Sequence, residues 1–552
     1  MRICLAYRAH AEGAADPYTS LLPVGLGTIN AVLREAGYAS HLANFSGMGL
    51  EQIIAMFKAD PPAILGLSQF THNRHETLAL ARLAKEVVPG CFVVFGGPHA
   101  THRWQEVLAG SPEVDAVVIG EGEATMLDLA RVLSGNGGTL AEIPGVAHRR
   151  GAAVIRNERQ GSLTALDQLP LSAYYMDDAI GVDPRRQLEF IISSRGCPGN
   201  CRFCSSPGFW GRGLRFRSPA SIVDEIRYLR DRYGLIYFSI RDDTFTADRQ
   251  RVSAFCRQLL EERLFILWNC QSRVNAVDVE MLGWMKRAGC ECIQLGIESG
   301  SPRVLSTLGK QITPEQARKA ALAVRQVGMN LSVYLIAGTP GEDEGDVRET
   351  CRLIEAIRPH DGQVSPLVYY PGTALFEEDV KAKRVSPDLF EQNKESSCPV
   401  RRDRLAMRTM RQMLDSLRKG GEKSAFTPRD IARQKETLGY CHVANLLAGE
   451  VYAEQDKTEP AEREYREIVF REPDNPWGWL ALGELYGETG RLTSAMHAYE
   501  KLGTLVPAHA PAFSVLGELS LVSGDEVEAE GYFRRALELD PFNETARSAL
   551  GT

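Results

Sequence analysis

No run of about 18 consecutive apolar residues occurs anywhere in this 552-residue chain, so no segment reads as a bilayer-spanning helix. The apolar stretch at residues 3–7 is too short for a signal peptide, and the expected location is cytoplasmic. Positive charge is not in excess either. Lys and Arg number 63 against 71 Asp and Glu, and the resulting −8 offers no footprint for a nucleic-acid partner. Cysteine is sparse, and 12 thiols without a secretion signal do not predict a disulfide framework; any clustering among them points instead to metal or redox chemistry. With 44% apolar and 24% charged residues the chain reads as a folded protein, and its length exceeds one hydrophobic core. Roughly three or four units of about 150 residues are expected.

From residue 1 to about 140, apolar runs at 3–7, 64–68, 92–95 and 116–119 alternate with helix-like segments. That alternation predicts an α/β, Rossmann-like domain with a parallel sheet wrapped by helices. Ligands in such open sheets bind at the carboxyl ends of strands. Two glycine-rich turns stand there, GGPH at 96–99 and GEGE at 120–123. Glycine lets backbone approach a ligand closely, and it equally serves an ordinary tight turn. Residues 141–185 are polar and irregular, with a short strand-turn-strand signal at 146–155, and read as a linker.

A second alternating region covers 186–375, with strands expected at 190–194, 236–241, 266–272, 292–298, 331–337 and 364–369. Each gap is long enough for a crossover helix. Six such units fit an open, partial (β/α)6 barrel, which places its chemistry at the carboxyl ends of the strands. Residues 376–435 predict a helical extension. Within it 401–419 is basic, with Met407, Met410, Leu414 and Leu417 at helical spacing. Such a helix either closes the barrel with its cationic side in water or lies on a membrane surface.

The last region, 436–552, repeats every 34 residues: Pro473, Pro507 and Pro541; Gly449, Gly483 and Gly517; Ala461, Ala495 and Ala529; Tyr465, Tyr499 and Phe533. That register is the one of tetratricopeptide repeats, stacked helical hairpins that form an all-α domain. The first unit has Asp456 where the others have Gly490 and Gly524, so its turn is expected to differ. Three repeats are near the minimum for stable stacking, and the tail is expected to pack on the barrel as well. Such a tail is a groove for a protein partner, or else a structural cap or dimerisation arm.

The densest chemistry lies at 195–204, RGCPGNCRFC, just past the first barrel strand, where Cys197, Cys201 and Cys204 stand at C-x3-C-x2-C spacing. A zinc site would want a fourth Cys or His close by, and none is near. A 4Fe-4S cube held by three cysteines keeps one iron open, as catalysis requires. The other nine cysteines sit in apolar settings and read as packing.

This loop, with Phe203 before its last cysteine, resembles the signature of the radical S-adenosylmethionine superfamily. The resemblance implies that the open iron binds S-adenosylmethionine and that one electron then cleaves the sulfonium to a 5′-deoxyadenosyl radical. It also implies an electron donor of the flavodoxin or ferredoxin type. The segments RDDTF at 241–245, QSR at 271–273, GIESG at 296–300 and GTPGE at 338–342 resemble the family's strand-end motifs. By that resemblance Glu298 is a candidate ribose contact, with Ser299 and Phe203 in the same cofactor site, and Asp242 and Arg273 meet the methionine end or the substrate.

The first domain, through Gly96, Gly97 and His99 and through Gly120, Glu121, Gly122 and Glu123, resembles the cobalamin-binding module that precedes the barrel in one branch of the superfamily. The resemblance covers about residues 1–375. Members that place a histidine under cobalt carry D-x-H-x-x-G, which has no match here. The loop from Ser68 to Thr71 is therefore the expected lining of the lower face, the alternative being a degenerate module that binds nothing. What the resemblance implies is a cobalamin-dependent methyltransferase acting on a poorly activated carbon. The alternatives are a radical cyclase, oxidase or rearrangement enzyme on the same scaffold, or an adaptor whose repeats are its function. No motif identifies the substrate; the repeats favour a peptide, protein or carrier-bound one.

Overall fold

A computed structural model describes residues 1–11, 19–159, 161, 163–211 and 213–551. The first domain is built on a seven-stranded sheet of β1 (Arg2–Tyr7), β2 (Ala39–Asn44), β3 (Ile64–Ser68), β4 (Phe92–Gly96), β5 (Ala116–Val118), β6 (Val146–Arg150) and β7 (Ala153–Arg156). Their spatial order is β2-β1-β3-β4-β5-β6-β7, the first five parallel and the last two antiparallel. The central strands are apolar along their whole length because helices cover both faces; every residue of β3 is buried. The order reverses between β1 and β3, so the crevice at their carboxyl ends is the natural ligand site.

The hairpin of β6 and β7 corrects the expected linker at 141–185. Val117 pairs with Ala147, and β7 becomes the sheet's outer edge, its ends Ala153 and Arg156 exposed. Further along, Ala173, Met176 and Val182 are buried in a core shared by the two sheets.

The second sheet contains β8 (Phe190–Ile191), then, after a small two-stranded ribbon of β9 (Ser194–Arg195) and β10 (Arg215–Phe216), β11 (Tyr237–Ile240), β12 (Leu267–Arg273), β13 (Cys290–Glu298), β14 (Asn330–Ala337) and β15 (Asp361–Pro366). All neighbours are parallel and in sequence order, β8-β11-β12-β13-β14-β15. This is the open (β/α)6 arrangement the strand count predicts.

The extension at 376–435 is less uniformly helical than expected. Residues 387–396 form a strap across the first domain. The buried Arg74 guanidinium donates to the carbonyls of Phe390, Asn393, Glu395 and Ser396 at 2.6–3.0 Å. Arg103 adds a bidentate pair with Glu391. The helix Arg404–Gly421 then packs on β14, β15 and the helix Glu344–Ile357. Its apolar face is rotated from the expected one: Met413 and Leu417 are buried, whereas Met407 and Leu414 are exposed.

Seven helices from His442–Ala453 to Glu544–Leu550 make the repeats. The periodic glycines are explained by contact: a Cβ on Gly449, Gly483 or Gly517 would fall within 3 Å of the Tyr465, Tyr499 or Phe533 ring. The first turn does not differ as expected, because Asp456 adopts the same left-handed conformation (φ 57°) as Gly490 and Gly524. The loops between repeats dock along the amino-terminal side of the barrel. Asp474 pairs with Arg263, His509 Nδ1 lies 2.8 Å from the Gly234 carbonyl, and Asp540 lies 3.4 Å from Arg185. Arg185, Gly234 and Arg263 each precede a barrel strand, so the tail sits at the end opposite the cysteine loop. Among the described residues no helix is long and apolar enough to cross a membrane.

Candidate active site

The cysteine loop leaves β9 through Gly196, whose φ of 94° only glycine holds without strain; a Cβ there would also lie 2.5 Å from the Gly213 carbonyl. It is stitched down by backbone bonds, Arg202 N–H to Leu308 O at 2.9 Å and Leu375 N–H to Arg202 O at 2.8 Å. Asp242, expected to meet cofactor or substrate, is turned instead to the strand that precedes the loop. It is buried beneath the loop and accepts from Ser193 N–H (2.6 Å), Ser193 Oγ (2.6 Å) and Ser194 N–H (3.0 Å), with Arg251 at 3.4 Å. Those bonds fix the strand that launches the cysteines. Its neighbour Asp243, in the turn that follows, is exposed and lines both cavities beside the loop. The motif RDDTF contains both acids, and only the fold distinguishes them.

Two of the three thiols face donors suited to a thiolate ligand: Gly199 N–H is 3.4 Å from Cys197 Sγ, and Arg273 Nη1 is 3.7 Å from Cys201 Sγ. Burial pushes the Cys204 thiol up to about 12, with Asp243 and the other two cysteines adding to the rise. A thiolate there needs a bound cation, which cluster irons supply. Among the described residues no three His, Cys, Asp or Glu converge on a single-ion position. In a cubane each cysteine holds a different iron, so the set fits a cluster and not zinc.

Beside the loop lies a cavity of about 350 Å³ lined by Cys197, Cys201, Phe203, Cys204, Arg273 and Glu298, among others. Glu298 stands at φ 67°, a left-handed conformation rare for a non-glycine residue, and pairs with Lys310 Nζ at 2.7 Å. Lys310 was not legible as a site residue, because it comes from the next helix–loop unit. Ser299 does not reach the cavity. It is fully buried, bonds Thr350 Oγ1 at 2.9 Å and accepts from Ser301 N–H, shaping the turn behind Glu298.

A second cavity of about 500 Å³ opens at the carboxyl ends of β1, β3, β4 and β5, where the strand order reverses. Ser68, Gly96, Gly97, Gly120, Glu121, Gly122 and Glu123 line it, as expected from the sequence. At Gly97, with φ 92°, a Cβ would sit 2.8 Å from the Gln69 carbonyl, so the turn that opens this cradle requires glycine. Thr71 and His99 are elsewhere. They bond each other at 3.1 Å behind the loop, and the His99 ring packs edge-on against Phe390 of the strap. Burial, with Arg74 and Arg103 nearby, pushes His99 down to about 3 and keeps it neutral. Phe70 lines the cavity in their place.

The acids of the GEGE turn hold the two sheets together. Glu121 pairs with Arg195 (2.6 Å) and Arg215 (2.7 Å) of the ribbon, and Glu123 pairs with Arg195 (2.5 Å) and accepts from Thr28 Oγ1 (2.9 Å). Burial alone would raise the Glu123 carboxyl, but Arg195 outweighs it and the group lies below the usual range. The roof comes from the other domain: Phe209 and Trp210, on the short helix after the cysteines, line the same cavity. Cys204 and Asp243 line both cavities, which therefore meet at the cysteine loop.

Comparison with known proteins agrees with this geometry. The Radical SAM superfamily profile matches residues 191–354, a B12 binding domain profile 14–130, and a tetratricopeptide repeat profile 478–505. The chain is 31% identical over 360 residues to an uncharacterised methyltransferase of Pyrococcus horikoshii, covering 64% of this chain and 78% of that one. It is 26% identical over 393 residues to the anaerobic magnesium-protoporphyrin IX monomethyl ester cyclase of Cereibacter sphaeroides, covering 68% and 63%. Among solved structures, the radical S-adenosylmethionine methyltransferase TsrM from Kitasatospora setae, with cobalamin and a [4Fe-4S] cluster bound, shares the fold at TM-score 0.60 and 15% identity, covering 85% of this chain and 99% of that one.

Proposed function

Because this chain belongs to the radical S-adenosylmethionine superfamily, in the branch that carries a B12-binding domain, we propose that it is a cobalamin-dependent methyltransferase acting on a poorly activated carbon. The observation that carries this reading is the meeting of the two cavities at Cys204 and Asp243. When bound, the cluster with S-adenosylmethionine supplies hydrogen abstraction and cobalamin supplies methyl transfer. Cys197, Cys201 and Cys204 would hold the cluster, with the smaller cavity between Phe203, Arg273 and Glu298 taking S-adenosylmethionine. The cradle of Ser68, Phe70, Gly97 and Gly120 would take cobalamin, and His99 is turned away from it toward the strap.

The chain's own contribution is position and exclusion. Arg195 and Arg215, anchored on Glu121, fix one domain against the other, so the distance between the two cavities is set by buried ion pairs. Phe209 and Trp210 close the larger cavity with apolar surface, which keeps water from a reactive radical. The repeats lie at the far end of the barrel and serve a protein partner there, which leaves substrate entry to the cavity side. An electron donor of the flavodoxin or ferredoxin type completes the reaction.

Anaerobic reconstitution with iron, sulfide and hydroxocobalamin, then incubation with S-adenosylmethionine and reductant, tests the reading. Stoichiometric cobalt and the joint formation of 5′-deoxyadenosine and S-adenosylhomocysteine are expected. Formation of 5′-deoxyadenosine without S-adenosylhomocysteine would turn the assignment to a cyclase or oxidase, the reaction class named for the Cereibacter relative.

A further inference from the structure

The repeats carry charge where their packing does not need it. The helix His442–Ala453 packs on Pro476–Glu488, so the first helix of each hairpin lines the concave side of the stack, and Ala510–Ser523 completes the row. Directly after the packing glycines Gly449, Gly483 and Gly517 stand Glu450, Glu484 and Glu518, and one turn further stand Glu454, Glu488 and Val522. Residues four apart share a helix face. All five carboxylates are exposed, and none has an ion pair or a side-chain hydrogen bond among the described residues. Glu484 is acted on by Glu488 and by no cation. Glu450 faces the buried Lys286, which the barrel's Glu291 shares. Burial pushes the Glu450 carboxyl up to about 7, with Lys286 opposing and Glu291, Glu454 and Glu484 adding to the rise.

Two buried phenols reach the same row. Tyr465 and Tyr499, on the second helices, are 5% and 6% exposed, and neither hydroxyl has a hydrogen-bond partner among the described residues. Their rings cross Gly449 and Gly483, one residue before the acids. The Tyr465 phenol is within electrostatic reach of Glu450, Glu484 and Glu488, and that of Tyr499 within reach of Glu484, Glu488 and Glu518; burial and then these charges hold both above the ordinary phenol value. An unpaired buried hydroxyl is costly, and the stacking does not require it. Phe533 fills the equivalent place against Gly517 in the third repeat. That repeat drops the second acid as well: Val522 is 70% and Leu521 47% exposed, so the polar row ends in an apolar step.

Among the described residues no three of these acids converge on a single-ion position, so their complement is a row of cations and not one ion. Neighbouring helices pack about 8–10 Å apart. An extended polyproline-type chain presents the same face every third residue, about 9 Å along. We propose that the concave face of the repeats binds an extended basic segment of a partner protein, with Lys or Arg at every third position against Glu450, Glu484 and Glu518 and an apolar residue at the Leu521–Val522 end. Each phenol then accepts from an incoming cation while donating to a carboxylate. An acidic partner is repelled from this face. The proposal names the chemistry of the partner that the methyl-transfer reading gives the repeats, and rests on that reading for there being one.

The test is fluorescence-anisotropy titration of the full-length, cluster- and cobalamin-loaded protein with a labelled peptide of three Lys-Ser-Pro units followed by Leu, and with its counterpart carrying Glu for each Lys. Saturable binding of the basic peptide and none of the acidic one is expected. Combined Glu450→Gln, Glu484→Gln and Glu518→Gln should weaken binding about tenfold. The thermal melt of that variant should be no lower than wild type, because the acids have no partners to lose. Combined Tyr465→Phe and Tyr499→Phe should weaken binding about threefold and fold normally, as Phe533 does in its repeat, which keeps the test valid if the glutamine variant fails to fold. Glu459→Gln with Glu500→Gln, exposed acids of the second helices, should leave binding unchanged. Absence of binding in the wild type, equal binding in the glutamine and phenylalanine variants, or an equal loss in the second-helix variant overturns the groove. So does half-displacement of the peptide by an equal concentration of spermine, which would make any small polycation a ligand. Formation of S-adenosylhomocysteine is measured separately, so failure of the methyl-transfer reading and failure of the groove are distinguishable.

Discussion

The barrel meets a neighbour at each end, and the two seams are built differently. At the carboxyl ends of its strands it faces the first domain across cavities of about 500 and 350 Å³, and Arg195 and Arg215 with Glu121 and Glu123 bridge the gap. At the amino ends it faces the repeats, and there side chains touch directly. Ile236 joins the core of the repeats, Leu267 packs on Leu438 and Val443, and a Cβ on Gly234 would lie 2.2 Å from the Ala508 carbonyl. One seam keeps space and charge for cofactors; the other removes space. The division follows from the parallel barrel itself, whose strand-end loops carry chemistry at one end and packing at the other.

The largest expected effects separate the seams by kind. Cys201→Ala should lower S-adenosylmethionine cleavage by about 10³-fold or more while leaving the thermal melt nearly unchanged, because the side chain contributes little packing. Gly234→Val should do the reverse. It places a branched side chain at φ 71° against the Ala508 carbonyl and should destabilise by about 2–3 kcal/mol, with cleavage per folded molecule retained. A Gly234 variant that folds as well as wild type but cleaves poorly would break the division.

A smaller effect sharpens it at the cavity seam. Arg195→Ala leaves Glu121 and Glu123 buried with fewer partners, and removal of one member of a buried ion network costs about 3 kcal/mol. Adding Glu121→Gln and Glu123→Gln to that variant should recover most of the stability but not the cobalamin retention, because the domains would no longer be registered. Retention measured as cobalt per protein after gel filtration checks this. Full retention in the triple variant would show that the ion pairs serve folding alone.

This seam is also where the sequence was only partly legible. The cysteine spacing, the glycine turns and the strand ends are local patterns, and local patterns gave the cavity linings: Cys197, Cys201, Cys204, Gly97, Gly120, Arg273 and Glu298. What no local pattern shows is which way a side chain turns once two distant segments compete for it. His99 follows the GGP turn but is drawn to Phe390, almost 300 residues later, and Thr71 turns with it. Asp242 and Asp243 are adjacent, and burial of one beneath Ser193 exposes the other. Glu121 and Glu123 look like ligand contacts, and their partners Arg195 and Arg215 lie in another domain. At the opposite seam the 34-residue period announces every helix, since each repeat contacts mainly its neighbours. The docking loops alone escaped it, because the barrel residues they meet follow no period.

Acid should act on both seams, first alike and then unequally. Each holds buried histidines whose pKa is lowered, foremost His99 beside the strap and His442 under the first repeat, both pushed from the ordinary 6.5 to about 3. Burial is the main cause in each, with Arg74 and Arg103 adding to it at His99 and Lys286 at His442. A base whose pKa is lowered by folding binds its proton more tightly when unfolded. The stability it confers is therefore present above about pH 6.5 and is lost as the pH falls toward 3, by at most about 1.4 kcal/mol per pH unit for each group. Glu123 acts only at the cavity seam. Its carboxyl is held below the ordinary 4.5, so its contribution is intact above that value and is lost only below it. Calorimetric melts of wild type, His99→Gln and His442→Gln between pH 7 and pH 4 should show each substitution removing a similar share of the acid sensitivity. Below pH 4.5 the wild type should lose cobalt before its repeats melt; the reverse order would mean that the packed seam, and not the charged one, is the weaker joint.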